Sequence, residues 1–360
     1  MGGNALKEYG AKRLDRDEYD AIASHLSLVL NRFLEHFGVE GEAKVIRAYR
    51  NKPSFGDIDV VVPRELHRKV SDKDLSMLLA YNFQSKLPSI PFKPNGPVTS
   101  FGLPLESGGV FQADLIYTPE DHFDFAVEYY SWNDLGNLIG RIAHKLGLRF
   151  GHDGLTMPLR DGDNLFDTIV LTREFKVAIQ FLGYSYIRYV DGFDDMEDIF
   201  RFTVNTPMFN SAIYDLDNRN HTARVRDKKR PTYTAFLEWL KVHPEVDKQF
   251  NFPKDKTIWH PFIWADFPDA KIEFDAAMAR LERKKLVKSK FNGEIVRDLT
   301  GLEGKELGGF ITEFKNSFYL PENQEHFDWF IINADQGEIN QMILKAFRND
   351  LVSVEVVAAR

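Results

Sequence analysis

Apolar residues recur with a helical period over residues 15–37. Ile22, Leu26, Val29, Leu30, Phe33, Leu34 and Phe37 fall on one stripe, and Gly38 stands just beyond it as a stop. The pattern then shortens. Residues 43–49 and 58–62 are strand-like runs, the second closed by Pro63. Residues 75–83 return to a helical period, with Asp72 and Asp74 near the start. Residues 88–105 are rich in Pro, Gly and Ser and predict a long irregular connection. Residues 110–117 form a third strand, ended by Thr118-Pro119.

Helical patterns dominate the rest. Asp161-Gly162-Asp163-Asn164 is a turn, and residues 166–183 predict a helix. The acidic run from Asp191 to Asp198 lacks the spacing of a calcium loop. It predicts a helix start, its acids favoured by the dipole, with Phe193, Met196 and Phe200 packed inward. Further helices are expected over 233–240, 269–288 and 336–347, with a strand-like segment over 351–357. Residues 291–311 read as two short helices joined by a glycine-rich turn, and Gly304-Lys305 lacks the spacing of a phosphate-binding loop.

The candidate chemistry lies where the first two strands meet. The stretch Tyr49-Arg50-Asn51-Lys52-Pro53-Ser54-Phe55-Gly56-Asp57-Ile58-Asp59 runs from a basic turn into a strand. Alternation puts Asp57 and Asp59 on one face and Ile58 on the other. Two such carboxylates repel unless a cation sits between them, and hard cations such as Mg²⁺ take oxygen ligands of this kind. Asp114 adds a third carboxylate amid the apolar residues of the later strand, an expensive position unless it is paired or metal-bound. Asp57, Asp59 and Asp114 together can hold two Mg²⁺ or Mn²⁺ ions for an in-line phosphoryl displacement.

Composition narrows the setting. The chain has 360 residues, enough for two or three domains, and a net charge of −8, unlike a protein that coats duplexes. It contains no cysteine, which excludes disulfides, thiol catalysis and cysteine-bound zinc and suits a cytoplasmic setting. No apolar run approaches ~18 residues, so no membrane span is expected. The densest basic run holds Arg224, Arg226, Lys228, Lys229 and Arg230, candidates to grip a nucleic-acid backbone.

Gly56-Asp57-Ile58-Asp59 before an apolar strand, with Asp114 on a later one, resembles the palm of the DNA polymerase β-type nucleotidyltransferase superfamily. The stretch from Glu128-Tyr129-Tyr130 through Asn137 and Arg141 to Leu148 is similar to the thumb of family X DNA polymerases, where a helix meets the nascent base pair. The resemblance covers roughly residues 40–185. It implies an α+β fold, with a small mixed sheet and flanking helices as the palm and mainly helical thumb and C-terminal domains. The expected layout is a helical segment over 1–42, a palm over 43–125, a thumb-like and helical middle region over 126–245, and a mainly helical domain over 246–360.

The resemblance also implies roles. Asp57, Asp59 and Asp114 would be the catalytic metal ligands. Ser54, Gly56, Tyr129, Tyr130, Asn137 and Arg141 would touch the nucleoside triphosphate, with Lys145 nearby on the nucleic acid. The family places Gly-Ser some way ahead of the carboxylate pair to cradle the triphosphate. Here that region reads Val45-Ile46-Arg47-Ala48-Tyr49-Arg50, so Arg47, Arg50 and Lys52 are the expected phosphate holders. Gly301-Leu302-Glu303-Gly304-Lys305-Glu306-Leu307-Gly308 is similar to a pattern in the C-terminal region of tRNA CCA-adding enzymes, which implies a helical tail that touches an RNA stem through Lys305.

The expected activity is metal-dependent nucleotide addition to a nucleic-acid 3′ end, RNA slightly ahead of DNA gap filling. A binding protein with a decayed nucleotide site, and nucleotidylation of a small molecule or protein, are the alternatives.

Overall fold

The computed structural model describes residues 5–318 and 326–348 of a mixed α+β chain. It divides into two compact units, Met1–Ala270 and Lys271–Arg360.

The first unit is organised by a five-stranded sheet. Its strands are β1 (Lys44–Val45), β2 (Asp57–Pro63), β3 (Phe92–Asn95), β4 (Val98–Pro104) and β5 (Val110–Thr118), in the spatial order β1-β2-β5-β4-β3. Only β2 and β5 run parallel, with Asp57 opposite Gln112 and Asp59 opposite Asp114. Strict alternation decides what each face does. Ile58, Val60 and Val62 of β2 and Phe111, Ala113 and Leu115 of β5 are buried in one core. The same core takes Leu26, Leu30 and Leu34 of α1 (Arg16–His36), Leu66 of α2 (Arg64–Lys69) and Leu75 and Leu79 of α3 (Asp72–Asn82). The carboxylates are thereby turned to the opposite face. A capping box between Asp15 and Glu18 starts α1.

Residues 88–105 are not irregular. They contain β3 and β4, an antiparallel hairpin turning at Gly96, which holds φ 60°. Prolines misled the pattern. Pro94 lies on the edge strand β3 and Pro104 at the end of β4, where a missing N–H is tolerated. Inside β4, Phe101 and Leu103 are fully buried. Gly102 has no room for a Cβ, which would meet Pro91 at 2.8 Å.

Helices α4 (Phe123–Tyr130) and α5 (Leu135–Lys145) follow, then a second antiparallel sheet of β6 (Arg149–Gly151), β7 (Gly154–Asp161) and β8 (Asn164–Thr172). The predicted helix over 166–183 is therefore β8 plus a short α6 (Phe175–Phe181). The turn at Gly162, φ 59°, sends the chain straight back along β7, and ladder pairing captures Thr168, Ile169 and Val170. Next come α7 (Tyr186–Asp191), α8 (Met196–Val204), α9 (His221–Lys228), α10 (Pro231–Val242) and α11 (His260–Asp266). Asp195 caps α8, while Phe193 and Phe200 are buried as the pattern predicts.

A buried polar chain ties α5 to α9 and α10. Arg219 and Asp227 form an ion pair with side chains 5% and 0% exposed. Arg219 also donates to the Tyr233 hydroxyl at 3.1 Å, and that hydroxyl donates to the Tyr214 carbonyl at 2.6 Å. The Tyr214 hydroxyl in turn reaches the Leu138 carbonyl of α5 at 3.1 Å.

Helix α12 (Pro268–Lys290) enters the second unit. There α13 (Gly293–Thr300), α14 (Gly304–Asn316), α15 (His326–Asn333) and α16 (Gln336–Phe347) gather around Val296, Phe314, Ile331 and Ile339. Gly301 closes α13 in the left-handed region, φ 73°. The strand-like segment expected over 351–357 lies outside the described residues. No helix among the described residues is long and apolar enough to cross a membrane.

Asp227→Ala should lower stability by about 3–5 kcal/mol, because it strands a buried guanidinium. Arg226→Ala removes a half-exposed partner of the same carboxylate and should cost less than ~1 kcal/mol. Urea unfolding of both variants checks this; equal losses would mean that the buried pair does not carry the fold.

Candidate metal centre and its cleft

Asp57 and Asp59 project from β2 and Asp114 from β5, on the face opposite the α1–α3 core. Each offers a carboxylate oxygen, and the three oxygens lie within 4.8 Å of one another. Both oxygens of Asp114 accept from Gln112 Nε2, at 2.9 and 3.0 Å. Burial holds the Asp59 carboxyl well above the usual carboxylate range, and the charges of Asp57 and Asp114 push it further. Asp114 is raised too, chiefly by burial, with hydrogen bonds from Ser100 and Gln112 working against the shift. Crowded, partly desolvated carboxylates form a hard-oxygen donor set that can hold a divalent cation.

A cleft of about 440 Å³ opens at these carboxylates. Tyr19 and Phe55 line it, as do Tyr130, Asp134, Val98 and Ile116. A second recess of about 300 Å³ shares Lys52, Asp57, Asn133 and Thr232 with it and adds Arg13 and Gly56. Lys52 is half-buried, with Nζ 4.8 Å over the Phe55 ring. Its ammonium makes no hydrogen bond or ion pair with a described residue. Burial lowers its pKa more than the charges of Asp57 and Asp59 restore it.

The structure separates the predicted phosphate holders. Only Lys52 stands unpartnered at the cleft. Arg47 lines the cleft, yet its guanidinium pairs with Glu128 over the rings of Trp132 and Tyr189, at 5.0 and 5.4 Å. Its backbone carbonyl takes the Trp132 N–H at 2.7 Å, so Arg47 ties β1's exit to the turn after α4. Arg50 pairs with Asp194 and donates to the Asp191 carbonyl. Ser54 accepts from Arg13, at 3.1 Å from Nε and 3.0 Å from Nη2, and Gly56 lines the second recess.

Tyr130 lines the cleft and stacks on His152 at 5.8 Å. Its hydroxyl is pushed up to about 12 by burial, with Tyr129 and Asp59 adding to the shift. Tyr129 sits behind it, packed on Phe150 and against Gly136, where a Cβ would meet the Tyr129 carbonyl at 2.6 Å. Trp132 and Asn133 then turn the chain with φ 65° and 58°. That conformation suits Asn and strains Trp, and burial of the indole together with the backbone hydrogen bond from the Trp132 N–H to the Arg47 carbonyl offsets the strain.

Arg141, expected at the nucleotide, is instead 7% exposed and donates to the Ile213 carbonyl at 3.2 and 2.7 Å. The Nδ2 of Asn137 is likewise buried, and neither residue lines the cleft. Lys145 is half-buried at the end of α5. The basic run folds as α9 and its exit: Arg224 donates to the Arg219 carbonyl, Arg226 pairs with Asp227, and Lys228 and Lys229 are exposed. Arg230 pairs with Asp134 of the cleft wall. Lys305 is exposed on α14 in the second unit.

Among the lining residues that escaped the sequence reading are Tyr19, Arg13 and Thr232. Tyr19 stacks on Phe55 with centroids 3.7 Å apart, and its hydroxyl is pushed up by burial and by Asp59. It lies on the buried side of α1, where it is indistinguishable from core. Arg13 and Thr232 reach the site from distant segments that carry no motif.

Asp59→Asn removes a charge that is unfavourable in the fold. A carboxyl whose folded pKa is raised contributes stability below its ordinary pKa and loses it as pH rises through the folded value. Without metal, the variant should therefore melt above the wild type, by roughly 2–4 °C per kcal/mol gained, with the gap widening as pH rises. It should also lose the Mn²⁺-dependent rise in melting temperature. Calorimetry with and without Mn²⁺ checks both; a retained Mn²⁺ response would place the cation elsewhere.

No family model matches the chain and no curated protein matches it, so the chemistry of this cleft stands on its own side chains.

Proposed function

We propose that the chain is a metal-dependent nucleotidyltransferase, with the five-stranded sheet as the palm of a DNA polymerase β-type enzyme and α4, α5 and the second sheet as its thumb-like part. The observation that supports this best is the convergence of Asp57, Asp59 and Asp114 across the parallel pair β2–β5, beside the unpartnered ammonium of Lys52. Asp57 and Asp59 would hold two Mg²⁺ or Mn²⁺ ions, with Asp114 on one of them. Bound there, the ions would lower the pKa of the attacking hydroxyl and neutralise charge on the phosphates.

The residues supply the rest. Asp114 would take the proton of the acceptor 3′-hydroxyl, whose oxygen bonds the α-phosphorus while the bond to pyrophosphate breaks. Lys52, which makes no hydrogen bond or ion pair with a described residue, would face the polyphosphate, and Arg13 adds a second cation held in place by Ser54. Tyr130, fixed by His152, forms a flat wall for the nucleoside. The exposed Lys305 on α14 is the proposed RNA contact of the second unit. The commitment of Arg47 to Glu128 favours a second reading, a nucleic-acid-binding protein with a decayed nucleotide site.

Incubation with labelled nucleoside triphosphates, Mg²⁺ or Mn²⁺, and tRNA, single-stranded RNA or gapped DNA decides between them. Incorporation is expected, with Asp57→Asn and Asp114→Asn reducing it by about 10²–10³-fold. No incorporation under either metal would favour the second reading. Lys52→Met should raise the nucleotide KM about tenfold, as a lost charge-assisted contact does, with a smaller change in kcat. An unchanged KM would remove Lys52 from the phosphate site.

A further inference from the structure

The start of the chain reaches the carboxylates through one side chain. Alternation along β5 puts Gln112 on the same face as Asp114. Gln112 is 3% exposed. Its Nε2 donates to both Asp114 oxygens, at 2.9 and 3.0 Å. Its Oε1 accepts from the backbone N–H groups of Ala5 and Leu6, at 3.0 and 3.3 Å. Only one orientation of the amide works. Turned over, it would set its NH₂ group against two N–H donors and its oxygen against a carboxylate.

The donors that fix this amide are themselves fixed. Leu6 is fully buried, and a short helical turn over Lys7–Tyr9 follows it. Beyond the turn, the Lys12 N–H donates to the Val110 carbonyl at 2.9 Å, at the start of β5. Gly109 permits the approach: it holds φ 82°, and a Cβ there would meet the Gly10 carbonyl oxygen at 2.6 Å. Leu14 and Phe55 exchange two backbone hydrogen bonds of 2.9 Å just ahead of β2. The segment is therefore tied to both strands that carry the carboxylates.

We propose that Gln112 is a positioning residue for Asp114, and that residues 5–14 form a clamp that holds Gln112 to that task. A carboxylate oxygen that accepts one hydrogen bond keeps a lone pair for a cation, so Gln112 orients Asp114 without displacing a metal. Removing a hydrogen-bonding partner of a metal ligand typically costs roughly 10–100-fold in metal affinity. The inference rests on the reading of the three carboxylates as a cation site and adds the part of the chain that sets its affinity.

The test is titration calorimetry of Mn²⁺ into the full chain without nucleotide, for the wild type, Gln112→Met, Leu6→Ala and the double variant. Metal-free melting curves verify folding. Gln112→Met should weaken Mn²⁺ binding by about tenfold or more. Leu6→Ala leaves every group at the carboxylates in place and should weaken it by a smaller factor. The double variant should bind no more weakly than Gln112→Met alone, because the clamp acts through Gln112. A purely structural Gln112 would lower the metal-free melting temperature and leave Mn²⁺ affinity unchanged, and that result would overturn the proposal. Unchanged affinity in Leu6→Ala, or losses that multiply in the double variant, would overturn the clamp. A wild type that binds no Mn²⁺ would overturn both the proposal and the cation site beneath it. Absence of nucleotide incorporation alongside the expected affinities would remove the transferase reading and leave the positioning role standing.

Discussion

Three carboxylates held within 4.8 Å of one another are the constraint around which the first unit is arranged. Like charges at that separation repel, and partial burial removes the water that would screen them. The arrangement persists because the strands that carry them are anchored from behind. Ile58, Val60, Ala113 and Leu115 are fully buried on the other side of the same two strands. The hydrophobic face thus holds the acidic face in place, in an arrangement that could hold a cation. Cation binding is strongest when the ligands are fixed in advance.

The cations around this centre fall into two groups. Arg47, Arg50, Arg141 and Arg230 are each tied to an acid or a carbonyl and act as struts between segments. Lys52 stands among the carboxylates without a hydrogen bond or ion pair to a described residue, its ammonium over the Phe55 ring. A guanidinium in a dry seam satisfies several acceptors at once, which explains why arginine fills the strut positions. An ammonium left half-buried without an ion pair costs free energy, a cost that an anion bound in the cleft would offset.

Much of the centre was legible in the chain. Asp57 and Asp59 flank Ile58, and alternation alone assigns them to one face; Asp114 was recognisable as a charge inside an apolar strand. The helix from Arg16, the paired helices at Gly293–Thr300 and Gly304–Asn316, and the helix start in the acidic run from Asp191 to Asp198 were equally readable, because periodicity and charge near a helix start are local signals. Strands β3, β4 and β8 were missed for the converse reason. Their residues pair with partners that local composition does not reveal, and pairing overrode the prolines and the helical pattern. Arg141 shows the limit for side chains. Its place on α5 suggested a ligand contact, but what covers that helix comes from residues 213–233.

By itself, then, the sequence determined the elements with strong local signatures, the shared face of Asp57 and Asp59, and the kind of chemistry such a pair supports. Only the tertiary structure decided that Asp114 stands directly opposite Asp59, since strand register depends on the whole sheet. It alone decided which cations are struts and which one faces the cleft, and it brought Tyr19, Arg13 and Thr232 to the site. The physical reason is the same in each case. Backbone periodicity is written in neighbouring residues, whereas partners across space are selected by packing and by the need to satisfy every buried charge.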